Sequence, residues 1–213
     1  LLGFEKLGVR AKSVNSRLYL EAPHGLHGAT YRFAKNTHTG TENLIMLAIC
    51  AQGITILENA AQETEIDDLI LFLNHAGGNI KRLAGRKIKI IGVPKLSGQT
   101  HWVIPDANEA VSYACAALIT QGDIAIEGAK TKDLIAFLKK IREAGGEYES
   151  SSWGIRFWYA GPLQATNMTT KPYPGFKTDW QPLWTTLMTQ AQGASRVIET
   201  VYEQRFGFVP ELE

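Results

Sequence analysis

Cysteine is scarce: Cys50 and Cys115 are the two in 213 residues, and both sit in apolar runs, LIMLAICAQG and AVSYACAALIT. A reduced thiol packs there as a small buried hydrophobe, and no disulfide framework is expected. No apolar run reaches the roughly 18 residues a helix needs to cross a bilayer. The opening Leu1-Leu2-Gly3-Phe4 has neither the basic start nor the cleavage pattern of a secretory signal, so the expectation is a cytoplasmic protein. Net charge is nearly absent, with 22 Lys+Arg against 21 Asp+Glu and no block of like charge. A nucleic-acid partner would find no electrostatic footprint here. Histidine numbers five. The pair in His24-Gly25-Leu26-His27 has a ligand-like spacing, but two imidazoles without a Cys or carboxylate cluster are too few, and no metal is expected. Trp153, Trp158, Trp180 and Trp184 lack a basic groove beside them and read as packing residues.

What the sequence does have is a repeat. Gln52-Gly53 is followed by ITILENA, Gln121-Gly122 by DIAIEGA and Gln192-Gly193 by ASRVIET, so that 69 residues lead from Gly53 to Gly122 and 71 from Gly122 to Gly193. A unit of that size reads helix, strand, helix, strand, strand. In the first complete unit the opening helix, Leu44 to Ala51, is apolar all round and expected to be enclosed. Ile54 to Leu57 reads as a strand. Thr64 then caps a second helix striped by Ile66, Leu69, Ile70 and Leu73, and Gly77-Gly78 stops it before a hairpin turning at Ala84-Gly85-Arg86. Pro94 to Pro105 has no periodicity and reads as a linker. The second unit repeats the plan with a helix from Asn108 to Thr120, strand Ile124 to Ile126, a helix from Asp133 to Glu143 with Thr131 as its cap, and a hairpin ending at Tyr159. A third unit begins near Thr178 with a helix from Leu183 to Ala191 and strand Val197 to Glu199. Leu1 to Pro23 resembles the tail of such a unit, an apolar helix ending at Gly8 and then a hairpin. Both ends thus cut a repeat, and a piece of a longer protein is expected. The class is α/β (α+β), with mixed sheets around buried helices.

The stretches ENAAQETEIDDLILFLNHAGGNI and YPGFKTDWQPLWTTLMTQAQGASRVIETVYEQRFGFVPEL resemble the UDP-N-acetylglucosamine 1-carboxyvinyltransferases, the enolpyruvyl transferases that open peptidoglycan synthesis. The sister family, the 3-phosphoshikimate 1-carboxyvinyltransferases, shares the repeat but matches these motifs less well. The resemblance implies an inside-out α/β barrel, present here incomplete and lacking both flanks. It also implies residues 1–103 as the rear part of a first domain, 104–213 as the front part of a second, and substrates bound between domains. The implied reaction joins phosphoenolpyruvate to the sugar's 3-hydroxyl of UDP-N-acetylglucosamine with loss of phosphate, without cofactor or metal.

By the same resemblance, Asp179 is the carboxylate beside the attacking hydroxyl. An alcohol attacking a cationic centre needs such a base within hydrogen-bond reach, although an Asp at a helix start is by itself more often a cap. Thr178 stands next to it as a cap or a ligand contact. Val201 matches a position touching the uracil side, and Arg205 one near the phosphate-bearing reactant, a role suited to a forked permanent cation. Lys35, Asn36, Thr37 and His38 fall on the loop that holds the nucleotide diphosphate before a helix start. His38 stands where a small apolar residue is usual, and Ala107 replaces an Arg of the interdomain segment. The proton-donating residue of the family lies upstream of everything in this chain, and neither cysteine matches it. A non-catalytic binding or assembly module is the alternative, with self-association through apolar helix faces such as Leu44 to Ala51.

Overall fold

Two units, Leu1–Ile104 and Pro105–Glu213, make up the computed structural model, which describes residues 1–212. In the first, helix α1 (Leu2–Lys6) ends at Gly8, whose φ of 96° carries the chain into a hairpin of β1 (Arg10–Val14) and β2 (Arg17–Glu21). Val14 faces Arg17 across Asn15-Ser16, both left-handed, the two-residue turn whose twist suits antiparallel strands. A four-stranded sheet follows, built from β3 (Thr30–Arg32), β4 (Ile54–Glu58), β5 (Asn79–Leu83) and β6 (Lys87–Ile91) in the order β3-β4-β6-β5. β3 runs parallel to β4, with Thr30 opposite Ile56, and α2 (His38–Ala48) makes the crossover between them. Helix α3 (Thr64–His75) connects β4 to the antiparallel β5-β6 hairpin.

The core of this unit gathers Leu44, Ile45, Ala48 and Ile49 from α2 and its end, Ile66, Ile70 and Leu73 from α3, and Leu57, Ile88 and Ile90 from the sheet. Each large aliphatic side chain so buried contributes about 1.5–3 kcal/mol against exposure. The apolar α3 stripe at helical spacing therefore does what its period predicts, with acidic Glu65 and Asp67 in the first turn favourable to the helix dipole. Two expectations fail. Thr64 is the first helical residue and no side chain caps α3. Helix α2 is not enclosed all round, since Met46 is 47% exposed, and Cys50 lies exposed just past its C-cap Ile49. The apolar residues Leu44 and Ile45 are covered by their own unit, while Leu18, Tyr19 and Leu20 of β2 are the exposed ones.

The second unit opens with α4 (Ala107–Ile119), capped by Asp106, whose carboxylate accepts from Asn108 N at 2.7 Å. Ala107, standing where an Arg was expected to matter, is buried in its first turn. Strand β7 (Asp123–Glu127), helix α5 (Ile135–Glu143), β8 (Glu147–Ser150) and β9 (Gly154–Trp158) repeat the plan, and the sheet order β7-β9-β8 reproduces β4-β6-β5. Thr131 opens a 3-10 turn, Thr131–Asp133, and does not cap α5, which begins only at Ile135. The last repeat contributes β10 (Met168–Thr169), a 3-10 turn (Thr178–Trp180), α6 (Gln181–Met188) and β11 (Val197–Ile198), with a final 3-10 turn at Val209–Leu212. β10 and β11 are parallel, Met168 opposite Val197. This second parallel crossover has the same form as β3-α2-β4.

Phe137 of α5 is the hub of the second core, its ring 6.1–6.4 Å from those of Phe157, Phe176, Trp180 and Trp184. Trp180 and Trp184 are fully buried and pack as expected. Trp153 is not a packing residue, being 46% exposed at the β8-β9 turn. No helix among the described residues is long and apolar enough to cross a membrane, and the sheets close into no barrel.

Candidate functional site

The residues singled out in the second unit come together at the ends of its parallel strand pair. Past β10 the chain forms the 3-10 turn that opens α6, and past β11 it runs on as the 199–205 segment. Asp179, in the middle of the turn, makes no capping bond. Its carboxylate instead meets Arg205 Nη1 at 2.9 Å, with half of the Asp179 side chain open to solvent. The Arg205 guanidinium also lies 5.4 Å from the Tyr202 ring centre. Its Nε is buried without a hydrogen-bond partner among the described residues. Val201 keeps a 40% exposed side chain beside these groups.

Between turn and segment stands Glu199. Its Oε1 accepts from Thr170 Oγ1 at 2.7 Å, Val201 N at 2.7 Å and Tyr202 N at 2.9 Å, and its Oε2 accepts from Thr178 Oγ1 at 2.9 Å. Partial burial pushes this carboxyl upward, but the bonds from Tyr202 N, Thr170 Oγ1, Val201 N and Thr178 Oγ1 together outweigh it and hold the group below the usual carboxylate range. Thr170 is itself fully buried and receives Thr200 N at 2.8 Å. Neither Thr170 nor Glu199 was singled out from sequence. Glu199 does stand at the head of the ETVYEQRF motif, which is the one signal that could have drawn attention to it.

The other candidate loop lies in the first unit, between β3 and α2. Thr37 is the N-cap of α2, its Oγ1 accepting from Gly40 N at 3.2 Å. Asn36 Nδ2 donates to Asn59 O at 3.2 Å, and Asn59 Nδ2 donates back to Phe33 O at 3.0 Å. Lys35 is exposed, and His38 Nε2 lies 3.3 Å from Glu42 Oε1. A solvent-facing lysine beside a helix start is suited to an anionic ligand. Among the described residues no group of three or more His, Cys, Asp or Glu side chains could hold a metal ion. The two cysteines differ: Cys115 is buried, and burial pushes its thiol up to about 12, whereas Cys50 is exposed.

The EPSP synthase family (3-phosphoshikimate 1-carboxyvinyltransferase) matches residues 1–213. A UDP-N-acetylglucosamine 1-carboxyvinyltransferase of Acidiphilium cryptum is 41% identical over 212 residues, covering 100% of this chain and 51% of its own length. One from Beijerinckia indica is 42% identical over 213 residues, covering 100% of this chain and 49% of its own length. The chain thus spans about half the length of the curated relatives it matches. In fold it is similar to the enolpyruvyl transferase NikO from Streptomyces tendae, with a TM-score of 0.83 at 20% identity, covering 98% of this chain and 52% of that one. It is also similar to EPSP synthase from Acinetobacter baumannii, with a TM-score of 0.68 at 16% identity, covering 99% of this chain and 51% of that one. A repeat of about 70 residues, two parallel crossovers with polar loops at their ends and a family match along the whole sequence agree, and the chain belongs to the EPSP synthase family of enolpyruvyl transferases.

Proposed function

We propose that this chain carries part of the substrate machinery of a UDP-N-acetylglucosamine 1-carboxyvinyltransferase. The observation that supports the reading most is the convergence of Asp179, Thr178, Val201 and Arg205 in one solvent-open cluster, in a chain about 41% identical to relatives of that name. In the reaction, the 3-hydroxyl of the sugar attacks the central carbon of phosphoenolpyruvate. That carbon has become electrophilic as the methylene takes up a proton, and phosphate then leaves as the methyl group so formed gives a proton back, which restores the double bond. Asp179 accepts the hydroxyl proton, its carboxylate being half open to solvent and so to a ligand. Arg205 turns its remaining donors to the phosphate or carboxylate of phosphoenolpyruvate, a charge-assisted contact that outcompetes its half-exposed bond to Asp179. Val201 lies against the uracil side, and Lys35 with the Asn36-Thr37-His38 loop takes the diphosphate.

No metal or organic cofactor enters this scheme. The assignment of residues 1–103 to the rear of one family domain and 104–213 to the front of the next belongs to the same reading, as do peptidoglycan synthesis, with its consequences for cell shape and division, and a cytoplasmic setting. The methylene receives its proton from a group other than Cys50 or Cys115 in this reading, since neither matches the family's proton donor, and Cys115 is also buried and held as a thiol.

The test is calorimetry of the 213-residue chain with UDP-N-acetylglucosamine, together with phosphate release from phosphoenolpyruvate. Binding that weakens on Asp179→Ala, with little turnover by the polypeptide alone, is expected. No binding would favour a scaffold module, and robust turnover would refute the view that half the machinery lies elsewhere.

A further inference from the structure

Four donors from three parts of the second unit converge on Glu199: the Thr170 hydroxyl just past β10, the Thr178 hydroxyl in the turn that opens α6, and the successive amides of Val201 and Tyr202. A carboxylate is a donor-free acceptor with two oxygens, of which Oε1 takes three of these bonds and Oε2 the fourth. No neutral side chain of that size does this.

The same position recurs. Asn59 lies six residues after Gly53, as Glu199 lies six after Gly193, and each stands immediately past the second strand of a parallel pair. In the first unit the Asn59 side-chain amide donates to Phe33 O, and the Asn59 backbone carbonyl accepts from Asn36 Nδ2. There too, the residue past the strand ties down the loop that leads into the crossover helix. The sixth residue after Gly122 is Gly128, which has no side chain to bond, and β7 has no parallel neighbour among the described strands. The tie is thus found where a parallel pair presents a loop ahead of a helix, and not where that pair is missing.

We propose that Glu199 is the positioning residue of the candidate site, holding the 200–205 segment against the Thr178-Asp179 turn so that Asp179, Val201 and Arg205 face one ligand. This rests on the reading of that cluster as a substrate site. Glu199 touches no reacting atom and acts through the groups it gathers. Charge matters as well as shape, because hydrogen bonds to an ionised acceptor are roughly twice as strong as neutral ones. Glutamine retains one acceptor oxygen and puts an N–H₂ group where Thr178 donates.

The experiment uses the whole 213-residue chain, ¹⁵N-labelled, as wild type, Glu199→Gln, Glu199→Ala, Thr178→Val and Thr178→Ser. The Val201 and Tyr202 amide protons are expected downfield in the wild type and displaced upfield in both Glu199 variants. UDP-N-acetylglucosamine, measured by calorimetry, is expected to bind about tenfold more weakly to Glu199→Gln and Thr178→Val at an unchanged folded fraction. Thr178→Ser, which restores the hydroxyl, is expected to recover wild-type affinity. Amide shifts that stay in place in both Glu199 variants overturn the proposal. So does a loss of affinity that merely follows loss of folded protein and that Thr178→Ser does not repair. If the wild type does not bind the nucleotide sugar, the proposed function fails, and the amide shifts alone then decide for or against the role of Glu199.

Discussion

Arg205→Ala separates a structural role for this arginine from a binding role, because the two carry different magnitudes. The Arg205–Asp179 pair spans 2.9 Å with side chains 27% and 51% exposed. Pairs this accessible contribute about 0.2–1 kcal/mol to stability. The guanidinium over Tyr202 adds about 0.5–1 kcal/mol at a site open to water. Removal of Arg205 should therefore cost the fold about 1–2 kcal/mol, a modest shift in a urea midpoint. A charge-assisted bond to a phosphate or carboxylate is worth about 1.5–3 kcal/mol, which is about ten- to a hundredfold in affinity. Phosphoenolpyruvate titrated into wild type and Arg205→Ala by calorimetry, alongside urea unfolding of both, should show the larger effect on binding. A double-mutant cycle with Asp179→Asn should give a coupling in unfolding of less than about 1 kcal/mol. Destabilisation above about 3 kcal/mol with unchanged ligand affinity would refute the reasoning and make Arg205 a tie of the fold.

Phe137→Ala, which empties the centre of four aromatic neighbours, should destabilise the second unit by about 3–5 kcal/mol, and amide exchange in β9 should accelerate accordingly. Glu199 has a folded pKa depressed below the ordinary 4.5. Its contribution is therefore complete above that unfolded value and is lost as pH falls through the lower folded one. Urea midpoints of wild type and Glu199→Gln should converge in that acidic window and nowhere above it. Iodoacetamide at neutral pH should label Cys50 in the folded chain and Cys115 only in denaturant, as read by mass spectrometry of the digest. Comparable rates at both would contradict the burial of Cys115.

The repeated plan was legible because it rests on local signals. The α3 stripe, the Gly77-Gly78 stop and the hairpin at Gly85-Arg86 each announce themselves within a few residues. Strands β3 and β10 escaped, being three and two residues long with no room for alternation. They exist as strands only because β4 and β11 pair with them, a non-local fact. The caps expected at Thr64 and Thr131 were misplaced by one and three residues, as helix ends are set by competing turns, here a 3-10 turn before α5. Helix α2 reads as apolar all round, yet Met46 reaches solvent because the unit covers only the face of Leu44, Ile45 and Ala48. At the candidate site, Asp179 and Arg205 stand 26 positions apart, and no spacing rule joins them. Glu199 is harder still to read, since its partners lie at 170, 178, 201 and 202.

The ties past β4 and β11 have a consequence for how such a chain tolerates change. In the β3-α2-β4 crossover the facing strand residues Thr30 and Ile56 are 26 apart in sequence, and in β10-α6-β11 Met168 and Val197 are 29 apart. The extra length sits in the stretch before the helix, and one side chain beyond the strand still anchors it. Insertions at that mouth cost only slowly growing loop entropy and disturb neither ladder. New ligand preferences can therefore be written there, residue by residue, on an unaltered frame.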